Sequence, residues 1–104
     1  MDMLQSTWTK DSILDVLHQH RHQLHAMGIT KIGVFGSYVR DEQQAHSDID
    51  LLFAMIPFTW RNWMNVWNYL EDVFGVSIDL IPEEDLRPEL RPYILPEVVY
   101  VSDL

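Results

Sequence analysis

The chain has no cysteine, which excludes disulfides, thiolate metal sites and cysteine nucleophiles. It is also short of positive charge. Seven Lys and Arg stand against sixteen Asp and Glu, a formal net charge of −9 over 104 residues. Non-specific nucleic-acid binding depends on Lys and Arg neutralising phosphates, so this balance argues against direct nucleic-acid contact. Docking on anionic lipid is disfavoured for the same reason. No apolar run approaches the about 18–20 residues that span a bilayer. Met1 to Lys10 lacks the basic and then apolar profile of a secretory signal. No repeat, low-complexity tract or linker interrupts the chain. The expectation is one acidic, cytoplasmic domain over residues 1–104 that contacts neither membrane nor nucleic acid.

Apolar residues are plentiful, at 47%, too many for a disordered acidic tail. Their spacing predicts a helix that Asp11-Ser12 caps, with Ile13, Leu14, Leu17, Leu24 and Met27 on one side and Gly28 as its stop. Lys31 to Phe35 reads as a strand running into Gly36-Ser37. Ile49 to Met55 reads as a second strand, apolar enough to be buried on both faces. Trp60, Trp63, Trp67, Leu70 and Phe74 form a helical stripe closed by Gly75. Val76 to Ile81 is a third strand, Pro82 to Asp85 a helical turn, and Val98 to Val101 an extended edge segment. This order predicts an α/β (α+β) fold with a small mixed sheet flanked by helices.

The chemistry concentrates between Gly36 and Leu52. Gly36-Ser37 falls where a strand ends, so backbone N–H groups and a hydroxyl can either hold phosphate oxygens or simply make a turn. Asp48 and Asp50 lie two apart on a strand, so both carboxylates project together while Ile49 packs behind. Two like charges side by side are costly unless neutralised, and hard oxygen donors suit Mg²⁺. Asp79 interrupts the apolar VSIDLI, where a lone carboxylate is expensive to bury. If that strand pairs beside Ile49 to Met55, three carboxylates meet around one point. Such a point is the usual construction of a two-metal phosphoryl or nucleotidyl transfer site.

Gly36-Ser37, ten residues, Asp48-Ile49-Asp50 and a downstream Asp79 together resemble the signature of the DNA polymerase beta-like nucleotidyltransferase superfamily. Within it, FGSYVRDE, SDIDLLF and the ending VSIDLIPEEDLRPELRPYILPEVVYV are similar to the minimal nucleotidyltransferase antitoxins partnered with HEPN-domain ribonuclease toxins. The resemblance spans about residues 10–101. It implies the nucleotidyltransferase fold, with Gly36 and Ser37 holding the triphosphate of ATP. Asp48 and Asp50 would bind two Mg²⁺ ions, and Asp79 would complete one metal shell and act as base toward the incoming hydroxyl. Arg40 matches the arginine of the family's GSxxR turn, where it either contacts phosphate or pins the loop to the acidic strand. The family more often has Gly where this chain has Asp41. The implied reaction is transfer of AMP from ATP to a tyrosine hydroxyl of the toxin. An occluding antitoxin that forms a stoichiometric complex, and a transferase acting on a small molecule, are the alternatives. A single domain without a second, acceptor-binding one is the expectation, which disfavours the small-molecule reading.

Two other features invite functional readings. His18, His22 and His25 share a helix flank with Asp15 one turn earlier, a spacing compatible with zinc. A solvated or interface face for these residues and His20 is the simpler expectation. The tryptophans Trp60, Trp63 and Trp67 read as core, and any aromatic surface that a small core cannot absorb reads as a partner face. Beyond the three carboxylates of the candidate site, the remaining acids suit a solvated surface that steers the protein toward a basic partner.

Overall fold

The computed structural model describes residues 8–104. The reading of the extreme N-terminus as lacking a signal profile therefore lies largely outside the described residues. Thr9 caps the first helix, α1 (Lys10–Gln19), and its hydroxyl accepts the Ser12 N–H while Ser12 Oγ accepts the Thr9 N–H. The cap thus lies earlier than Asp11-Ser12, because Ser12 serves as the reciprocal partner.

The expected single helix is two. α1 ends at His20 and α2 (Arg21–Ala26) begins beyond it. At the break His20 leaves helical geometry (φ −96°, ψ 11°), its ring hydrogen-bonds the hydroxyl of Tyr69 on a later helix, and the Arg21 guanidinium donates to the His18 carbonyl at 2.9 Å. His22 and His25 are exposed. Among the described residues no three His, Asp or Glu side chains come together around a point that could hold a metal.

β1 (Ile29–Phe35) and β2 (Ile49–Met55) pair antiparallel. α3 (Trp60–Phe74) then carries the chain across to β3 (Ile78–Pro82), which lies parallel to β2. β4 (Val99–Tyr100) adds antiparallel to β1, giving the mixed order β3-β2-β1-β4. Between β3 and β4 lies the short helix α4 (Arg91–Ile94), with single 3-10 turns before and after it. Thr59 caps α3, and Gly75 ends it in the left-handed conformation, φ 70°. α3 also protects the free edge of β3: Glu71 accepts the Ile78 N–H at 3.2 Å and the Trp63 indole donates to the Leu80 carbonyl at 3.0 Å.

The alternation of β2 divides the molecule. Ile49, Leu51, Phe53 and Met55 enter the main core with Ile13, Leu17, Leu24, Val66 and Leu70 from the helices. Leu52, from the opposite face, joins Phe35 and Leu86 in a second, smaller core beneath the C-terminal segment. The tryptophan stripe is only partly internal. Trp63 and Trp67 pack against the main core, but Trp60 is 69% exposed. Trp63 lies 5.7 Å from the ring of Phe58 and takes the inward place, leaving Trp60 edge-on to it from outside. None of the helices is long and apolar enough to cross a membrane among the described residues.

Candidate active site

Backbone register assembles the site. Phe35 at the end of β1 pairs with Asp50, and Asp50 pairs with Asp79 across the parallel β2–β3 ladder. The sequence condition for bringing Asp79 beside the DxD strand is therefore met, and the two carboxylates sit on neighbouring strands at one level. Asp48 lies just before β2, two residues ahead of Asp50 and close enough for its charge to act on it, while Ile49 between the two is fully buried in the main core. Asp48 and Asp79 are exposed and Asp50 is half-buried. Partial burial, together with the charges of Asp79 and then Asp48, pushes the Asp50 carboxyl up from 3.8 to about 6; Arg40 opposes this and Glu97 adds to it.

Gly36 opens a 3-10 turn, Gly36–Tyr38, with φ 82°. Any side chain there would be strained, and a Cβ would overlap Asp50 Oδ2, with Asp50 Cγ only 3.0 Å away. Glycine is required because the Asp50 carboxylate packs directly against its Cα. Ser37 follows, and among the described residues its hydroxyl has no protein partner. The turn continues to Asp41, which adopts φ 58°. Glycine fits that left-handed position without strain, and aspartate is among the few other residues that tolerate it. The departure from the family's glycine at this position is thus compatible with the same loop path.

Among the described residues Arg40 makes no hydrogen bond to the acidic strand, although its charge acts on Asp50. Its guanidinium donates to Glu42 at 2.8 Å and to Glu97 at 3.1 and 3.2 Å, so it pins the loop to itself and to the C-terminal segment. Glu97, from the turn before β4, also accepts the Gly36 N–H at 2.8 Å. This residue carries no sequence signal of its role. It lies 61 positions from Gly36, and only the pairing of β4 with β1 brings the two together. Beside Asp48, a hollow of about 270 Å³ opens between Tyr38, His46, Ser47 and Ser77.

The donor set fits Mg²⁺: three carboxylates, all hard oxygen ligands, with mutual repulsion that a divalent cation relieves. Among the described residues no three acids by themselves enclose an ion. That openness is compatible with Mg²⁺, which commonly binds through one or two carboxylates and completes its shell with water and substrate phosphate.

Comparison with known proteins agrees with this geometry. The family model described as "Polymerase beta, Nucleotidyltransferase" matches residues 13–103. The chain is 38% identical over 96 residues to protein adenylyltransferase MntA of Thermococcus cleftensis, covering 89% of this chain and 96% of that one. Among solved structures it is similar to a minimal nucleotidyltransferase, with a TM-score of 0.77 at 28% identity over 90% of this chain and 97% of the other. It also shares its fold with a chain of a toxin–antitoxin structure with AMP-PNP, at a TM-score of 0.63 and 17% identity, covering 89% and 72%. By the match over residues 13–103 and the relative from Thermococcus cleftensis, the chain belongs to the polymerase beta nucleotidyltransferase family.

Proposed function

We propose that the protein is an antitoxin that transfers AMP from ATP to a tyrosine hydroxyl of a HEPN ribonuclease toxin and so silences it. The observation that carries this reading is the alignment of Asp50 with Asp79 across β2 and β3, with Asp48 adjacent and Gly36-Ser37 against Asp50. The names of the relatives support it: one is a protein adenylyltransferase, and one neighbouring fold occurs in a toxin–antitoxin structure with an ATP analogue.

Each residue has a role in such a transfer. The Ser37 hydroxyl, without a partner among the described residues, takes a phosphate oxygen of ATP. Asp48 and Asp50, with Asp79, would hold Mg²⁺, which when bound supplies charge neutralisation on the triphosphate and on the departing diphosphate. Asp79 accepts the proton of the incoming hydroxyl as that oxygen bonds to the α-phosphorus and the bond to diphosphate breaks. With in-line displacement, most of the catalysis is positioning and electrostatics. The C-terminal segment already covers part of this sheet face, and the toxin would bring the acceptor hydroxyl to its open end.

The test uses the purified protein, a candidate HEPN-domain toxin, Mg²⁺ and α-labelled ATP. Label should appear on the toxin together with a matching rise in its intact mass. Asp48→Asn with Asp50→Asn should lower transfer at least ~10³-fold, in line with loss of charge-stabilising groups at a reacting centre. Undiminished transfer by this folded double variant overturns the reading. Exposure of Ile56, Phe58 and Trp60 at the opposite end of β2 favours one alternative, an antitoxin that acts by occlusion. That alternative requires neutralisation at one-to-one stoichiometry without ATP, and no added mass.

A further inference from the structure

Glu97 stands behind the turn that faces the nucleotide. Its Oε2 accepts the Gly36 N–H at 2.8 Å, and both its oxygens accept from the Arg40 guanidinium at 3.1 and 3.2 Å. The side chain is only 20% exposed, so these bonds are shielded from water more than the outer Arg40–Glu42 pair, whose Glu42 is 64% exposed. The consequence is a division of labour within two residues. The Gly36 N–H is already occupied by protein, whereas the Ser37 hydroxyl has no partner among the described residues.

The same contact bears on charge. A further carboxylate near Asp50 would repel both Asp50 and a triphosphate. Arg40 offsets it, and its charge favours the ionised form of Asp50 while Glu97 disfavours it. A neutralised carboxylate can therefore grip the turn without opposing the nucleotide. Because a Gly36 Cβ would overlap Asp50, any shift of Gly36 also changes the space that Asp50 occupies.

We propose that Glu97 is a positioning residue for nucleotide binding: by holding the Gly36 N–H and the Arg40 guanidinium together, it fixes the pose in which Ser37 and Asp50 meet the triphosphate. This rests on the nucleotidyl-transfer reading. It assigns to the C-terminal segment a part in substrate binding, in addition to closing the smaller core.

The experiment is calorimetric titration of the full chain with ATP and Mg²⁺, alongside urea unfolding to count folded protein and transfer kinetics to separate KM from kcat. Glu97→Ala should weaken binding about tenfold, equivalent to about 1.4 kcal/mol, and should raise KM more than it lowers kcat. Glu97→Gln, which keeps an acceptor for the Gly36 N–H, should recover most of the affinity. Glu42→Ala, which removes only the exposed partner of Arg40, should bind like wild type. If Glu97→Ala does not fold, Glu97→Asp withdraws the carboxylate by one methylene and should weaken binding severalfold. Unchanged affinity per folded molecule in Glu97→Ala, or in Glu97→Asp should it be needed, overturns the proposal, as does an equal loss in Glu42→Ala. A wild-type protein that binds no ATP overturns the nucleotidyl-transfer reading instead.

Discussion

Along β2 the chain alternates between two environments only one residue apart. Ile49, Leu51 and Phe53 are fully buried against three helices, whereas Asp50 on the other face lies beside two more carboxylates and a glycine turn. The helix-covered face gathers apolar side chains from α1, α2, α3 and all of the first three strands. Among the described residues the opposite face has a smaller buried core of Phe35, Leu52 and Leu86, under a segment of short turns. One face therefore holds the strand in place, and the other uses that placement to keep like charges together. If this division is right, substitutions on the two faces should move different observables.

The largest separation is expected from Leu51→Ala. Leu51 is fully buried in the main core, and truncating such a residue costs about 3 kcal/mol through lost transfer energy and a residual cavity. Urea unfolding should show that loss, a large part of the stability of a domain this size. Nucleotide affinity per folded molecule should stay within about twofold, since the side chain points away from Asp50. A large loss of affinity in protein shown to be folded would mean that the two faces are not independent.

Gly36→Ala should cross the division. The left-handed backbone at φ 82° disfavours alanine by about 1–2 kcal/mol, and the new Cβ must displace Asp50 Oδ2. Stability should fall by about that amount. Transfer should fall further, by ~10²-fold, because displacements near 1 Å at a reacting centre carry penalties of that order. Equal losses in stability and transfer would show that the glycine serves the turn alone.

The same alternation explains what could be read from sequence. β2 was legible to the residue because an apolar run with carboxylates at its start has one consistent placement. Asp79 was legible because a charge inside VSIDLI needs a partner. Gly75 marked the end of α3 through its own backbone preference. What was hidden depends on contacts far apart in sequence. His20 interrupts the first helix beside Tyr69, 49 residues away, and Glu97 meets Gly36 only after β4 has paired with β1. Trp60 obeys the helical stripe yet faces outward, because periodicity fixes an angle around α3 but not how far the core extends along it. The sequence left Arg40 open between phosphate and the acidic strand, and its bonds to Glu42 and Glu97 carried no signal there.

The smallest effect tests the electrostatic half of the comparison. Asp50 titrates near 3.8 when unfolded and near 6 in the folded protein, so the folded state binds more protons between those values. Its contribution is therefore fully present below about pH 4 and is lost as pH rises through 6. Because Asp50 is only half-buried, solvent screening reduces the expected contribution to about 1 kcal/mol. Other acids titrate in this range as well, so the measurement is the difference between wild type and Asp50→Asn. Unfolding free energies at pH 4 and pH 7.5 should show wild type losing about 1 kcal/mol relative to the variant as pH rises. Adding Mg²⁺ at pH 7.5 should recover that loss in wild type and much less of it in Asp50→Asn. Removing the cation with chelator should reverse the recovery. A wild-type protein whose pH dependence matches that of Asp50→Asn would mean that the three carboxylates are too well solvated to repel. The cation would then have no strain to relieve, and the acidic face would owe its arrangement to substrate binding alone.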